Sequence, residues 1–282
     1  MMRKQTVIYE PNKYIKAGSF FLWKQMFYEL KIGFELGCRL FLRDFSAKYK
    51  QTLLGVSWVI LLPLFAVLVF VAMNRSGILT IKPIGTSYPV FAIFGMTIWF
   101  LFTGIVSAIS SVVGETGGLI TKINFPRIAL IFSPVLISLL DSLIRFALLG
   151  IIMVIYGDVP SPALCLLPLA LLPIILFSIG IGLFLSIIGA VFKDVPIFVN
   201  MFLGIAMFLT PVIYPLPNEG ILNKINIYNP LHYLIEMPRT IFFYGRFDHG
   251  IEFMIYSLIS LLIFLTGWRF YQVAMARIVE KI

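Results

Sequence analysis

Residues 159–218 read VPSPALCLLPLALLPIILFSIGIGLFLSIIGAVFKDVPIFVNMFLGIAMFLTPVIYPLPN. The first 34 of these, 159–192, and the last 24, 195–218, carry no Asp, Glu, Lys or Arg; only Lys193-Asp194 separates them. A helix crossing a bilayer needs about 20 consecutive apolar residues, so each run can hold one span. Pro196 suits the first turn of a new helix, where its missing N–H has no intrahelical partner and its fixed φ is already helical. The stretch therefore predicts two membrane helices in a tight hairpin, with Lys193 and Asp194 as its charged turn.

Outward from this hairpin, 51–74, 83–114 and 253–268 are also uncharged, and 128–157 carries only Asp141 and Arg145. The predicted fold is an all-α integral membrane protein with six transmembrane helices near 52–73, 88–112, 128–156, 164–191, 196–214 and 251–269. Before the last span, 215–250 is rich in proline and too interrupted for two more crossings, which predicts short outer-face helices or a re-entrant feature. Composition agrees: 60% of the 282 residues are hydrophobic and 12% charged, against about 25% charged in an average soluble domain. No room is left for a large soluble catalytic domain. Cys38 and Cys165 have no CxxC spacing, which supports neither a disulfide framework nor a metal site. The first 19 residues lack the apolar run of a cleavable leader, so insertion is expected to rely on internal segments.

The net charge of +9 on a soluble protein could indicate nucleic acid; here topology explains it. With the N-terminus inside, eleven Lys/Arg near the membrane ends fall on the cytoplasmic side and five outside, a bias that predicts cytoplasmic termini and no nucleic-acid partner. Before the first span, Phe27, Leu30, Phe34, Cys38, Phe41, Phe45 and Tyr49 recur at helical spacing while Glu35, Arg39, Arg43 and Lys50 gather on another side. This predicts an amphipathic interface helix over 27–51, its aromatics in the headgroup boundary and its cations toward lipid phosphates or the cytoplasm. The domain reading is a cytoplasmic tail (1–26), the interface helix, a membrane domain (52–272) and a C-terminal cytoplasmic tail (273–282).

No GxxxxGK[ST], HExxH or GxSxG motif occurs in the chain, so it is expected not to be an enzyme and to bind no cofactor. His232, Glu236 and Arg239 share a helical face by spacing and are read as a satisfied surface cluster. Asp141 and Arg145 lie deep inside a predicted span, where charge is costly and faces a bundle interior or water. Spaced i,i+4, they are read as an intramembrane ion pair, the alternative being a substrate or ion path. Phe65, Phe70, Phe198, Phe202 and Phe208 are candidate channel-lining aromatics, offering flat apolar faces on which sugar rings can stack; packing or lipid contact is the plainer reading.

At 43–64 the string RDFSAKYKQTLLGVSWVILLPL, followed in order by LITKINFPR at 119–127, KDVP at 193–196, TPVIYP at 210–215 and YNPLHYLIE at 228–236, closely resembles the membrane subunits of ABC exporters of the ABC-2 type, particularly those exporting lipid-linked polysaccharides such as O antigen. The matches carrying the resemblance at the first helix are Arg43, Asp44, Lys48, Tyr49, Leu54, Gly55, Trp58 and Pro63. It implies a homodimer with a pore between the subunits, two copies of a separate ABC ATP-binding subunit carrying ATP and Mg, an undecaprenyl-linked polysaccharide substrate, and the bacterial inner membrane as the location. It assigns the ATPase-coupling contact to Arg43, Asp44 and Lys48 and to Lys122, Phe125, Pro126 and Arg127. Lys193 stands where arginine is more usual, and lysine keeps the charge without a bidentate fork. Teichoic acid, capsule or a small lipophilic cargo, and an ATP-independent channel or membrane scaffold, are the alternative functions.

Overall fold

The computed structural model describes residues 19–50, 52–76, 85–120, 128–217 and 219–279, and all secondary structure among them is helical. The helices are α1 (Ser19–Lys50), α2 (Ser57–Arg75), α3 (Tyr88–Ile120), α4 (Ala129–Tyr156), α5 (Leu167–Val191), α6 (Val195–Leu209), α7 (Ile221–Asn226), α8 (Pro230–Tyr244) and α9 (Gly250–Val279), with a 3-10 turn at Pro162–Leu166 leading into α5. Four segments are long and apolar enough to cross a membrane: Tyr88–Glu115, Ala129–Tyr156, Pro162–Val191 and Gly250–Met275. The apolar helices α2 and α6 are shorter. At 1.5 Å per residue, the 15 residues of α6 reach about 22 Å, less than a hydrocarbon core of about 30 Å.

Chain chemistry sets these limits. The predicted fifth span, 196–214, is corrected: the helix stops at Leu209 and Thr210 is extended. Pro211 follows, with no N–H to continue a helix, and side-chain amides satisfy the exposed end. Asn226 Nδ2 donates to the Leu209 carbonyl at 2.9 Å and Asn229 Nδ2 to Thr210 Oγ1 at 3.1 Å. At the end of α4, Gly157 takes φ 74° and its N–H closes on the Met153 carbonyl, a left-handed cap that only glycine adopts without strain. The predicted first span starts later than 52, because 52–56 forms a turn through Gly55 at φ 53°.

Helix α3 is the spine of the bundle: 78% of its most apolar stretch is buried, against 11% for α9. Two large apolar clusters fill most of the interior. One, near the α8 end, gathers Phe94, Ile98, Leu149, Ile174, Leu234 and Phe242; the other, near the α1 end, gathers Ile105, Ile109, Ile131, Leu183, Trp268 and Tyr271. Close backbone approach builds the α5–α9 seam. A Cβ on Gly180 would lie 2.7 Å from the Phe264 backbone nitrogen, and one on Gly267 the same distance from the Gly180 carbonyl oxygen. Small residues at such crossings let membrane helices gain dispersion contact where lipid supplies no hydrophobic drive.

The interface helix begins earlier than the predicted residue 27 and is not a bare surface anchor. Phe27 and Phe34 are exposed, in keeping with an apolar surrounding, but Met26, Glu29, Gly33, Gly37 and Leu40 form a buried face at helical spacing. That face packs along α4: a Cβ on Gly37 would sit 2.6 Å from Phe132 Cβ. Glu29 accepts from Gln272 Nε2 at 3.3 Å, and Asp44 accepts from Ser133 Oγ at 2.7 Å. Polar bonds thus fasten α1 to both α4 and α9.

Candidate functional site

Where α1, α3, α4 and α6 converge they leave a cleft of about 830 Å³. Its α3 wall is a row of hydroxyls, Thr103, Ser107 and Ser111, at i, i+4 and i+8 on one face. Thr103 Oγ1 donates to the Trp99 carbonyl at 3.0 Å and Ser111 Oγ to that of Ala108 at 3.4 Å. A hydroxyl that spends its proton on its own helix keeps acceptor lone pairs for a ligand. Ser107 Oγ donates to Asn200 Oδ1 at 2.7 Å, tying α3 to α6 across the cleft. The wall from α4 adds Ser133 and Ser138, and Gly104 and Gly204 keep the lining shallow. In a chain this apolar, such a groove can satisfy many neutral hydroxyl groups at once.

The charged end of the cleft corrects the ion pair read from sequence. Asp141, buried, does not pair with Arg145: Lys48 Nζ lies 2.8 Å from its Oδ2 and the Tyr49 hydroxyl donates to its Oδ1 at 2.6 Å. Burial, and then the bond to Asp141, hold the Tyr49 phenol well above its ordinary range, so it stays a proton donor to the carboxylate. Arg145 instead donates from Nε to the Val59 carbonyl at 3.3 Å and lies over the Phe100 ring, 4.9 Å from its centroid. Arg43 and Asp44 pair with each other at 2.7 Å at the mouth of the cleft. Of the residues assigned to ATPase coupling, Arg43, Asp44 and Lys48 therefore all face this cleft; Lys122, Phe125, Pro126 and Arg127 lie outside the described residues. Lys193 and Asp194 are exposed in the turn between α5 and α6.

The five aromatics proposed as channel lining stand elsewhere. Phe198 and Phe202 border a second, wholly apolar groove of about 500 Å³ between α3, α5 and α6. Phe65 and Phe208 are exposed, and Phe70 is half-buried against the apolar cluster at the α8 end. None of the five lines the polar cleft. The hydroxyl row was missed in the sequence; its signal is the four-residue recurrence of Ser and Thr within the uncharged run 83–114.

The trio on α8 is also corrected. His232 and Arg239 are not on the surface but buried, because α8 re-enters the bundle. Arg239 NH1 meets Glu236 Oε2 at 2.7 Å, and NH2 donates to the Val212 carbonyl at 2.6 Å. The guanidinium stacks 4.0 Å from the Phe91 ring centroid, and Gly95 is needed there because any side chain would collide with Arg239 and the Val212 carbonyl. Burial pushes the His232 imidazole below its usual pKa although Glu236 pulls the other way. This cluster staples the non-helical end of α6 to α8; it lines neither groove.

Comparison with known proteins places this geometry in a family. The family model described as "ABC-2 type transporter" matches residues 36–243, from within α1 to the end of α8, and so takes in the whole cleft. The O-antigen export system permease protein RfbA of Myxococcus xanthus is 26% identical over 228 residues, covering 78% of this chain and 85% of that protein. A protein of the same description from Klebsiella pneumoniae is 26% identical over 246 residues, 85% and 90% of the two chains. The polysialic acid transport protein KpsM of Escherichia coli is 25% identical over 242 residues, 83% and 91%. With a family model covering most of its length and apolar helices long enough to cross a bilayer, the chain is a multi-pass membrane protein that belongs to the ABC-2 type transporter family.

Proposed function

We propose that this chain is the membrane-spanning permease subunit of an ATP-driven exporter that moves lipid-linked polysaccharide, foremost O antigen, across the bacterial inner membrane. Relatives named for O-antigen export and for polysialic acid transport, each matched over most of its length, support the cargo class. The observation that carries the reading is the hydroxyl-lined cleft: Thr103, Ser107, Ser111 and Asn200 on facing helices offer a sugar chain hydrogen bonds that an apolar interior would withhold. A drug-like lipophilic cargo would be better served by a groove without these groups.

In this reading the chain works as a homodimer with six spans and cytoplasmic termini, α2 and α6 completing the count. Two ATP-binding subunits, holding ATP and Mg, sit against α1 and the segment of sequence that carries Lys122, Phe125, Pro126 and Arg127. Their closure would push on α1. Because α1 is bonded to α4 through Asp44–Ser133 and through Lys48 and Tyr49 to Asp141, the push reaches a wall of the cleft as well as α2. Gly55, at the corner between α1 and α2, takes a backbone conformation that lets those helices meet at an angle. An undecaprenyl-linked glycan would then enter from the cytoplasmic leaflet, its sugars passing the hydroxyl wall while its lipid stays in the bilayer.

The test is a chain carrying Thr103→Leu and Ser107→Leu, expressed in cells whose own copy is deleted. Both substitutions remove hydroxyls and fill the cleft. Surface polysaccharide is expected to fall at least tenfold while the variant reaches the membrane at normal level; undiminished export would remove the cleft from the transport path.

A further inference from the structure

Among the described residues, Arg145 is the cation on the cleft lining that no carboxylate pairs directly, although the charge of Asp141 is near enough to act on it. Asp141, its closest acidic neighbour in sequence, gives one oxygen to Lys48 and the other to Tyr49. Asp44 is engaged by Arg43 and by Ser133. The remaining carboxylate on the lining, Glu115, is 15 residues along α3 from Phe100, the ring under Arg145, or about 22 Å at 1.5 Å per residue. The guanidinium is nevertheless fixed. Nε is held by the Val59 carbonyl and one face by Phe100, which leaves the two terminal nitrogens for the cleft that Arg145 lines. A cation within a membrane helix that no acid pairs directly is costly and marks a functional place. Guanidinium is also the side chain whose fork matches the oxygens of phosphate or carboxylate.

We propose that Arg145 is the anchor of an oxyanion-binding site in the polar cleft, and that it holds an acidic group of the cargo, a phosphate at the lipid end of the glycan or a carboxylate on an acidic sugar. The inference rests on the export reading and adds to it the chemical group recognised. The Ser138 hydroxyl on α4 and Thr103 on α3 lie on the same lining but donate to the Pro134 and Trp99 carbonyls of their own helices, so the donors to the anion are the terminal nitrogens of the arginine. Lys48 is spent on Asp141, so the site attracts one compact anion rather than a polyanionic surface.

The test is isothermal titration calorimetry on the full chain in phosphatidylcholine nanodiscs. The probes are undecaprenyl phosphate, a sialic acid oligomer and the neutral alcohol undecaprenol, compared for the wild type, Arg145→Gln and Arg145→Lys. Saturable binding of undecaprenyl phosphate or of the oligosialic acid is expected, at least tenfold weaker in Arg145→Gln and partly restored in Arg145→Lys; which probe binds identifies the source of the anion. Equal binding to wild type and Arg145→Gln overturns the proposal, as does undecaprenol binding as tightly as the phosphate. If anionic phosphatidylglycerol in the disc abolishes probe binding with the same arginine dependence, the site serves bulk lipid and the assignment to cargo falls. Should Arg145→Gln fail to reconstitute, Arg145→Lys binding every probe like the neutral alcohol would count against the site, since lysine keeps the charge. Surface polysaccharide in cells carrying Arg145→Lys separates the two readings: undiminished export with no arginine-dependent binding sinks the oxyanion site and leaves the export function standing.

Discussion

A chain with Arg239→Met is expected to be lost from the membrane fraction. The guanidinium is buried to 1% exposure and joins three otherwise separate parts: Glu236 on its own helix, the Pro211 and Val212 carbonyls beyond α6, and the Phe91 ring of α3. Methionine fills similar space but leaves the carbonyls unpaired, each costing about 1–3 kcal/mol. It also strands a carboxylate whose buried ion pair, when broken, costs about 3–5 kcal/mol; partial exposure of Glu236 reduces that last figure. A total of at least about 4 kcal/mol is a large share of the roughly 5–15 kcal/mol that holds a domain together. Arg239→Lys should retain about half of it, keeping the charge but not the fork. Membrane yield and melting temperature in detergent are the measurements, and wild-type values for the methionine variant would show that α8 does not depend on this contact.

Lys48→Met should be the next most damaging change, and it should act on coupling as well as stability. It leaves Asp141, whose side chain is 9% exposed, with Tyr49 as its remaining hydrogen-bond partner, at a cost of about 3 kcal/mol for a buried charge deprived of its direct ion pair. Asp141→Asn should cost only about 1 kcal/mol, because Lys48 is 46% exposed and water can solvate its ammonium group. The Lys48→Met, Asp141→Leu double variant should recover most of the loss, since an apolar replacement of both partners removes the desolvation penalty. A double-mutant cycle in detergent melting, with Asp141→Leu as the second single variant, would therefore read a coupling of about 3 kcal/mol. Additive effects would contradict the pairing. With melting restored, the double variant should still export poorly, because α1 has lost one of its two bonded links to α4.

The sequence shows helices more readily than it shows what they touch. The third predicted span, 128–156, is the helix Ala129–Tyr156, because an unbroken apolar run capped by Gly157 leaves the chain few options. The fifth was drawn five residues too long: hydropathy counts Val212, Ile213 and Tyr214 as membrane residues, whereas Thr210-Pro211 and two asparagine amides from beyond residue 225 end the helix. The interface helix was recognised by its aromatic stripe, yet its buried face contains Gly33, Gly37 and Glu29, which no hydrophobic pattern selects. They are small or paired for close packing on α4 and α9. Asp141 offers the same lesson for the site. Its nearest opposite charge in sequence is four residues away, but its partner is Lys48, 93 residues distant, brought there by the packing of α1 on α4. Arg239 was read as a surface residue because the re-entry of α8 depends on the shape of the whole bundle.

The central claim, that this chain carries polysaccharide out of the cell, is tested most directly by deleting it and following the glycan on both sides of the membrane. Loss of surface polysaccharide together with accumulation of the lipid-linked form inside, both reversed by the wild-type chain, is the predicted result. Full-length polysaccharide still displayed by cells lacking the chain would contradict it.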